Sequence, residues 1–135
     1  MMDVDHADAL EAAAARARAG GPERHRAKAA EQGKMPVRER VSRLLDAGSF
    51  AEEGLLAGAE QEGLGAEGVV TGMGTIGGRP VAVMANDPTV KAGSWGPKTV
   101  EKILRIQEAA LGPNSTQTCG TTPDRRTWLK KIRPA

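Results

Sequence analysis

Residues 68–111, GVVTGMGTIGGRPVAVMANDPTVKAGSWGPKTVEKILRIQEAAL, decide how this chain folds. Val69–Ile76 and 81–85 are runs typical of strands, and the paired glycines between them, Gly77 and Gly78, can adopt the positive φ angles of a tight hairpin turn. The second run contains no polar residue, which is typical of a strand covered on both faces in a layered α/β fold. The stretch therefore predicts a β-hairpin that belongs to a larger layered sheet.

Helices are predicted on both sides of this hairpin. Downstream, Pro97 begins a helix whose apolar stripe consists of Val100, Ile103, Leu104 and Leu111. Upstream, Pro36 begins a helix whose apolar stripe consists of Val37, Val41, Leu44 and Leu45. The alanine-rich residues 7–19 and the charged residues 23–32 predict two further helices with little apolar surface to bury. Residues 57–68, rich in Gly and Glu, predict an exposed loop.

Charge and composition narrow the range of functions. The 135 residues carry a formal net charge of +2, and the basic character belongs to residues 112–135, which hold five Lys or Arg against one acid. With only Trp128 there for base stacking and no recognisable binding module, nucleic acid is not an expected partner. The single cysteine, Cys119, forms no internal disulfide and has no metal-ligand spacing. Neither a signal peptide nor a membrane-spanning run is present, so we expect a cytoplasmic protein.

Four motifs follow one another along the chain: VRERVSRLLDAGSFAEE at 37–53, VxGxGxIxGRPV at 70–81, ANDPTVKAGS at 85–94, and then a helix containing Lys-Ile. In this order they resemble the carboxyltransferase (beta) subunits of biotin-dependent acyl-CoA carboxylases, such as the propionyl-CoA and methylcrotonoyl-CoA enzymes. The likeness covers roughly residues 20–111. A string of separate matches is far more specific than any one of them.

The resemblance implies both a fold and a reaction. The fold is α/β, the start of a crotonase-like (ClpP/crotonase) domain in which N-terminal helices precede a β-β-α unit. Residues 1–35 would form a helical arm, and 36–111 would begin the N-terminal carboxyltransferase domain. The reaction transfers a carboxyl group from carboxybiotin, carried on a partner biotin carboxylase/biotin carrier (alpha) subunit, to an acyl-CoA within a homo-oligomer. It requires backbone N–H groups at two oxyanion sites, one for the thioester enolate and one for the biotin ureido oxygen.

The sequence beyond Leu111 departs from the family pattern. The family continues into an apolar strand and a DS(G/A)GAR turn, which supplies the first oxyanion donors, and then into a second glycine-rich loop. Residues 112–135 are instead polar and basic, with no strand or helix period. We interpret them as a disordered tail outside the family, and we expect a truncated chain that is inactive alone and contains no catalytic residue. A frameshift would explain the change.

The loop at residues 91–96 is the expected acyl-CoA contact, because the resemblance places it beside the CoA groove. Gly93 permits close backbone approach, and Ser94 can cap the following helix or donate to a phosphate. Lys91 and Lys98 add positive charge at the same point. Without the resemblance, Ser94 is only a helix N-cap and the two lysines are solvated.

Other polar side chains receive plainer interpretations. Asn86 and Asp87 are expected to form a turn by bonding to nearby backbone groups. His6 and His25 lack partners at metal or triad spacing and are expected at the solvated surface. Trp95 is expected to pack over the hairpin, with adenine stacking as the alternative. Two other functions stay open: a non-catalytic helical interaction protein with a basic tail, and a fragment of a biotin-dependent acyl-CoA decarboxylase.

Overall fold

A computed structural model describes residues 2–61 and 65–112 of the chain. Seven helices and strands follow one another in these ranges: α1 (Met2–Ala19), α2 (Glu23–Glu31), α3 (Val37–Leu44), β1 (Ala51–Glu53), β2 (Val69–Ile76), β3 (Arg79–Asn86) and α4 (Pro97–Ala110). A single helical turn, Lys91–Gly93, lies between β3 and α4. The predicted disordered tail, apart from Gly112, lies outside the described residues.

The three strands form one antiparallel sheet in the order β1-β2-β3. The predicted hairpin is confirmed: Ile76 pairs with Arg79, and the turn glycines Gly77 and Gly78 have φ angles of 57° and 78°. These left-handed angles match the right-handed twist of the flanking strands, and glycine adopts them without steric cost.

The sheet is covered by α3 on one face and by α4 on the other. Residues directly opposite each other in an antiparallel pair project to the same face, so the pairing of Gly72 with Val83 assigns both to the face that α3 covers. The core on that face consists of Val41, Leu45 and Val83, with Phe50, Val81 and Ala85 packed against them. Gly72 and Gly74 leave the space that this core fills. A Cβ at Gly72 would lie 2.5 Å from the Phe50 ring, and one at Gly74 would lie 2.7 Å from Leu45 Cδ1.

The strand that is covered on both faces is β2, so the prediction made for residues 81–85 is wrong. Val69 and Thr71 are 0% and 1% exposed, whereas Met84 on β3 is 42% exposed. β2 lies between two strands and beneath both helices, while β3 is at the edge of the sheet in the part of the chain that the structure describes. The run without polar residues therefore belongs to the edge strand β3, and the central strand is β2.

The predicted helix stripes are only partly correct. Leu44 of α3 is exposed, and so are three of the four apolar residues assigned to α4: Val100, Leu104 and Leu111. The buried face of α4 is made by Thr99, Lys102, Ile103 and Ile106. These positions follow the spacing i, i+3, i+4 and i+7 of one helix face. Because two of these four residues are polar, the hydrophobic pattern predicted a buried face that is rotated about the helix axis from the observed one.

The turn of the hairpin is held by the carboxylate of Asp46, which follows α3. Its oxygens accept hydrogen bonds from the Gly78 amide at 2.8 Å, the Thr75 hydroxyl at 2.7 Å and the Gly77 amide at 2.9 Å. These bonds, that of Gly78 most strongly, hold the pKa of Asp46 below its ordinary value. The ionised carboxylate therefore ties the end of α3 to the hairpin tip.

Asp46→Asn is expected to loosen this tip. An amide accepts more weakly than a carboxylate and brings a donor to face two amides, so the Gly77 and Gly78 N–H groups should exchange with solvent several-fold faster. Because folding lowers the pKa of Asp46, its stabilising effect is complete above the unfolded value and is lost as the pH falls below about 4. Amide hydrogen exchange by NMR at pH 6 tests this. Asp8→Asn on the exposed face of α1 is the control, and equal exchange rates in both variants would contradict the assignment.

Candidate functional site

The loop that joins β3 to α4 has an unusual backbone. Lys91, Ala92 and Gly93 are consecutive and all left-handed, with φ angles of 45°, 53° and 78°. Glycine takes such an angle freely, but residues with a Cβ adopt it at a cost of roughly 1–3 kcal/mol, and such residues concentrate at ligand-binding segments. The loop expected to contact acyl-CoA is thus held in a high-energy conformation by the elements on either side.

The polar groups of this loop already have partners within the chain. The Ser94 hydroxyl donates to the Lys91 carbonyl at 2.8 Å, and Lys91 Nζ donates to Gln61 Oε1 at 3.3 Å. Gly96 is the N-cap of α4, so the interpretation of Ser94 as the cap is wrong. Lys98 Nζ lies 3.9 Å from a Glu101 carboxylate oxygen on the exposed face of α4.

The four candidate residues do not converge on one cavity. Ala92, within the loop, lines a cavity of about 370 Å³ together with residues of α2. Lys98 lines a different cavity, of about 230 Å³, together with Glu53 and Arg105. The structure therefore places the loop next to α2 and places Lys98 next to the end of β1.

The turn predicted at the end of β3 is confirmed for Asp87, whose side chain bonds to nearby backbone, but not for Asn86, which ends β3 and bonds to the Trp95 side chain. Asp87 Oδ1 accepts from the Thr89 amide at 2.9 Å and from its hydroxyl at 2.5 Å. Asn86 Oδ1 accepts from the Trp95 indole N–H at 3.2 Å, and Trp95 remains 53% exposed. Trp95 is therefore fixed by a hydrogen bond with about half of its surface free.

The two histidines differ from each other. His6 is exposed, as predicted. His25 is half-buried, and its Nδ1 donates to the Thr89 carbonyl at 3.1 Å while Nε2 accepts from Arg24 Nε at 3.3 Å. The prediction that His25 lies at the solvated surface is wrong, because the Asp87–Thr89 turn, far away in sequence, folds back onto α2 and partly covers it.

A buried polar cluster beneath α4 escaped the sequence analysis. Thr99 Oγ1 donates to Glu67 Oε2 at 2.6 Å and accepts from the Gly96 amide at 3.0 Å, which joins the start of α4 to the residues before β2. Lys102 Nζ donates to the Val69 carbonyl at 2.6 Å. Glu67, Thr99 and Lys102 are 4%, 0% and 6% exposed. The prediction of an exposed loop at 57–68 is therefore wrong at its end. The one sequence signal was the helical spacing of Thr99 and Lys102 with Ile103 and Ile106.

Burial lowers the pKa of Lys102 below its ordinary value, and the nearby positive charge of Arg38 lowers it further, while the carboxylates of Glu52 and Glu67 raise it. Arg38 and Glu52 form a two-pronged ion pair between α3 and β1, with Nη2 to Oε1 at 2.8 Å. Paired charges and hydrogen bonds thus connect α3 to β1 and α4 to β2.

Residues 2–61 and 65–112 bring together no set of three His, Cys, Asp or Glu side chains that would hold a metal ion. Among the helices in these same ranges, none combines the length and the apolar character needed to cross a membrane.

Comparison with known proteins identifies the family. A family model described as "Carboxyl transferase domain" matches residues 28–121, more than half of the chain. The chain is 56% identical over 97 residues to an uncharacterized carboxylase YngE of Bacillus subtilis, covering 72% of this chain and 19% of that protein. It is 48% identical over 98 residues to the biotin-dependent 3-methylcrotonyl-coenzyme A carboxylase beta1 subunit of Mycobacterium tuberculosis, covering 68% and 18%. The chain thus spans about a fifth of the length of these curated relatives.

Among solved structures, the chain matches the transcarboxylase 12S subunit with methylmalonyl-coenzyme A and methylmalonic acid bound. The TM-score is 0.68 at 38% identity, over 78% of this chain and 22% of that one. The matched structures are carboxyltransferases of the crotonase fold, which confirms the predicted fold class. The resemblance seen in the order of the motifs is likewise confirmed. The chain belongs to the carboxyl transferase domain family, whose members include subunits of biotin-dependent acyl-CoA carboxylases.

Proposed function

We propose that these residues help to build a carboxyltransferase that moves a carboxyl group from carboxybiotin to an acyl-CoA. The observation that supports this most strongly is the family match over residues 28–121, together with 48% identity to a biotin-dependent beta subunit. Carboxybiotin supplies the carboxyl group and arrives as a substrate on a biotin carboxylase/biotin carrier partner. The complete enzyme would be a cytoplasmic homo-oligomer.

Within that enzyme, the loop 91–96 serves as an acyl-CoA contact. Its left-handed backbone at Gly93 permits close approach of a ligand, and Lys91 adds a positive charge beside it. The Ser94 hydroxyl, which bonds to the Lys91 carbonyl, shapes the loop. Lys98, in the first turn of α4, lines a separate cavity and adds positive charge to the surface next to the loop.

Hydrogen bonds in the elements on either side of this loop position it. The Glu67–Thr99 bond and the Lys102–Val69 bond fix α4 to β2, and the Asp87–Thr89 turn fixes the end of β3. These bonds hold the end of β3 and the start of α4, which lie on the two sides of the loop. Such positioning determines the reaction rate, because reacting groups must be held in attack geometry.

A graft tests the proposed function. Residues 28–111 would replace the matching stretch of the Mycobacterium tuberculosis beta1 subunit, and carboxylation of 3-methylcrotonyl-CoA would be measured in the assembled enzyme. If the residues build the same unit, the rate should remain within about tenfold of the parent, a difference of ~1.4 kcal/mol in the barrier. A graft of equal length from an unrelated helical protein is the control. A graft that assembles normally but is as inactive as this control would contradict the proposal and favour a non-catalytic interaction protein.

A further inference from the structure

We propose that the outer edge of β3 and the adjoining flank of α4 form a docking surface for a second copy of this chain. The two copies would join their sheets by antiparallel pairing of β3 with β3 across a twofold axis, and their α4 helices would pack side by side on one face. This inference concerns the 135-residue chain and does not depend on the proposed carboxyl transfer.

The outer edge of β3 has backbone groups that can pair with another strand. Among the described residues, β3 has a neighbouring strand on one side only. The Asp87 amide donates to the Gly68 carbonyl at 2.9 Å, and bonding and non-bonding positions alternate along an antiparallel pair. The odd-numbered residues of β3 therefore bond to β2. The N–H and C=O groups of Ala82 and Met84 point outward.

The two edges of the described sheet differ in charge. The edge strand β1 carries Glu52 and Glu53, whereas β3 carries no charged residue after Arg79. Charged side chains on an edge strand oppose its pairing with another chain. The β1 edge is therefore protected against a second chain, and the β3 edge is open to one.

An uncovered apolar surface adjoins the β3 edge. Ala82 and Met84 line a cavity of about 540 Å³ together with residues at the end of α4, among them Leu111. Val100, Leu104 and Leu111 lie at i, i+4 and i+11 and form one stripe of α4, and all three are exposed. Because Leu111 belongs both to this stripe and to the cavity, the stripe is on the β3 side of the helix. A contiguous apolar patch beside an unpaired strand is typical of an interface.

The sequence of β3 is self-complementary in the antiparallel direction. With the twofold axis at Val83, Ala82 of one copy lies opposite Met84 of the other, and their outward backbone groups form a hydrogen-bonded pair. On the other face of the sheet, Val81 lies opposite Ala85 in the same way. Residues directly opposite each other are the closest neighbours across two strands, so this register fits large side chains to small ones on both faces.

The position of α4 fits the same arrangement. This helix packs against both β2 and β3. Since neighbouring strands lie about 4.8 Å apart, a helix centred between these two strands would lie about 10 Å from its copy across the paired edge, close to the usual distance between packed helices. The stripe of Val100, Leu104 and Leu111 would then be covered by the same stripe of the second copy. A second copy thus supplies both the missing strand and an apolar helix at the required spacing.

Sedimentation velocity of the full 135-residue chain over a range of concentrations tests the docking surface, and we expect a reversible dimer. Met84→Lys places a charge within the paired edge and should weaken dimerisation by about tenfold or more, because burial of an unpaired charge is costly. Ile76→Lys is the matched control. It adds the same charge at a side chain of equal exposure, 41% against 42%, but near the hairpin tip on β2. It should change dimerisation by less than about twofold.

Amide hydrogen exchange locates the contact. The outward N–H groups of Ala82 and Met84 should exchange several-fold more slowly at high protein concentration than in the dilute chain, because only the dimer gives them partners. The N–H groups of Val81 and Val83 already bond to β2 and should change much less.

A chain that stays monomeric at every concentration would overturn the proposal, as would a dimer in which the Ala82 and Met84 amides exchange as fast as in the dilute chain. A monomer in which both amides are protected would show that another part of the same chain covers the edge, which also contradicts it. If circular dichroism shows that Met84→Lys loses helix content, Leu104→Lys on the exposed stripe of α4 takes its place. A folded variant of either kind that dimerises as tightly as the unsubstituted chain would rule the surface out.

Discussion

A polypeptide of these 135 residues, purified alone, is expected to carboxylate no acyl-CoA, even when it is supplied with a biotin carboxylase, its biotin carrier and bicarbonate. The reaction places negative charge on the thioester oxygen, and loss of a single oxyanion donor lowers the rate by about 10²–10³, or ~3–4 kcal/mol. The sequence has no counterpart of the DS(G/A)GAR turn, and it spans about a fifth of the length of its relatives. Both oxyanion sites should therefore be missing from this polypeptide.

Labelled bicarbonate and a panel of short acyl-CoAs measure this directly. Acid-stable label should stay at the level of a reaction without the polypeptide, while the grafted beta subunit, assayed in parallel, provides the positive control. Incorporation above that background into any acyl-CoA would show that these residues suffice for the chemistry.

Replacement of Lys102 is expected to have the largest effect on folding. Lys102→Ala removes a buried side chain that contacts the Val69 carbonyl, and it deprives the buried Glu67 of a compensating charge. Cavity formation and loss of a buried partner each cost several kcal/mol in comparable cases, so the free energy of unfolding should fall by about 2–4 kcal/mol. Lys102→Met keeps most of the volume and should cost less. Chemical denaturation at pH 7 measures both.

The pH dependence separates the charge of Lys102 from its packing. Folding lowers the pKa of Lys102, so between the folded and the unfolded pKa the unfolded chain binds more protons, and stability rises with pH across that window. Lys102→Met should lack this rise when unfolding is compared at pH 7 and near pH 10. Lys98→Ala, on the exposed face of the same helix, should change stability by less than about 0.5 kcal/mol. If the substitutions at Lys98 and Lys102 lowered the free energy of unfolding equally, the cause would be helix propensity and not the burial of Lys102.

Features set by neighbours in sequence could be predicted, and features set by distant partners could not. The hairpin and its glycine turn depend on a few adjacent residues, and they were predicted correctly. The buried face of α4 was misplaced because Thr99 and Lys102 are buried only through bonds to Glu67 and Val69, more than thirty residues earlier. A hydropathy pattern counts such side chains as solvent-facing.

The candidate site divides in the same way. Asp87 forms its turn with Thr89, two residues away, and that role was predicted. The cavity between α2 and this turn was not, because it exists only where Thr89 meets Gly21 and His25, and nothing in α2 itself marks it. Loop 91–96 was singled out through the family resemblance, and its contact with acyl-CoA remains a prediction.

The two glycines of β2 affect how chains of this kind can be recognised. Gly72 and Gly74 supply the G-x-G of the V-x-G-x-G motif, and their lack of a Cβ makes room for Phe50 and Leu45. The motif therefore reflects the packing of Leu45 and Phe50 against β2 and not a chemical step. A database search keyed to it should collect proteins by shared architecture, including members with different substrates or with no activity. Assigning a reaction to such a protein requires residues from elsewhere in its sequence.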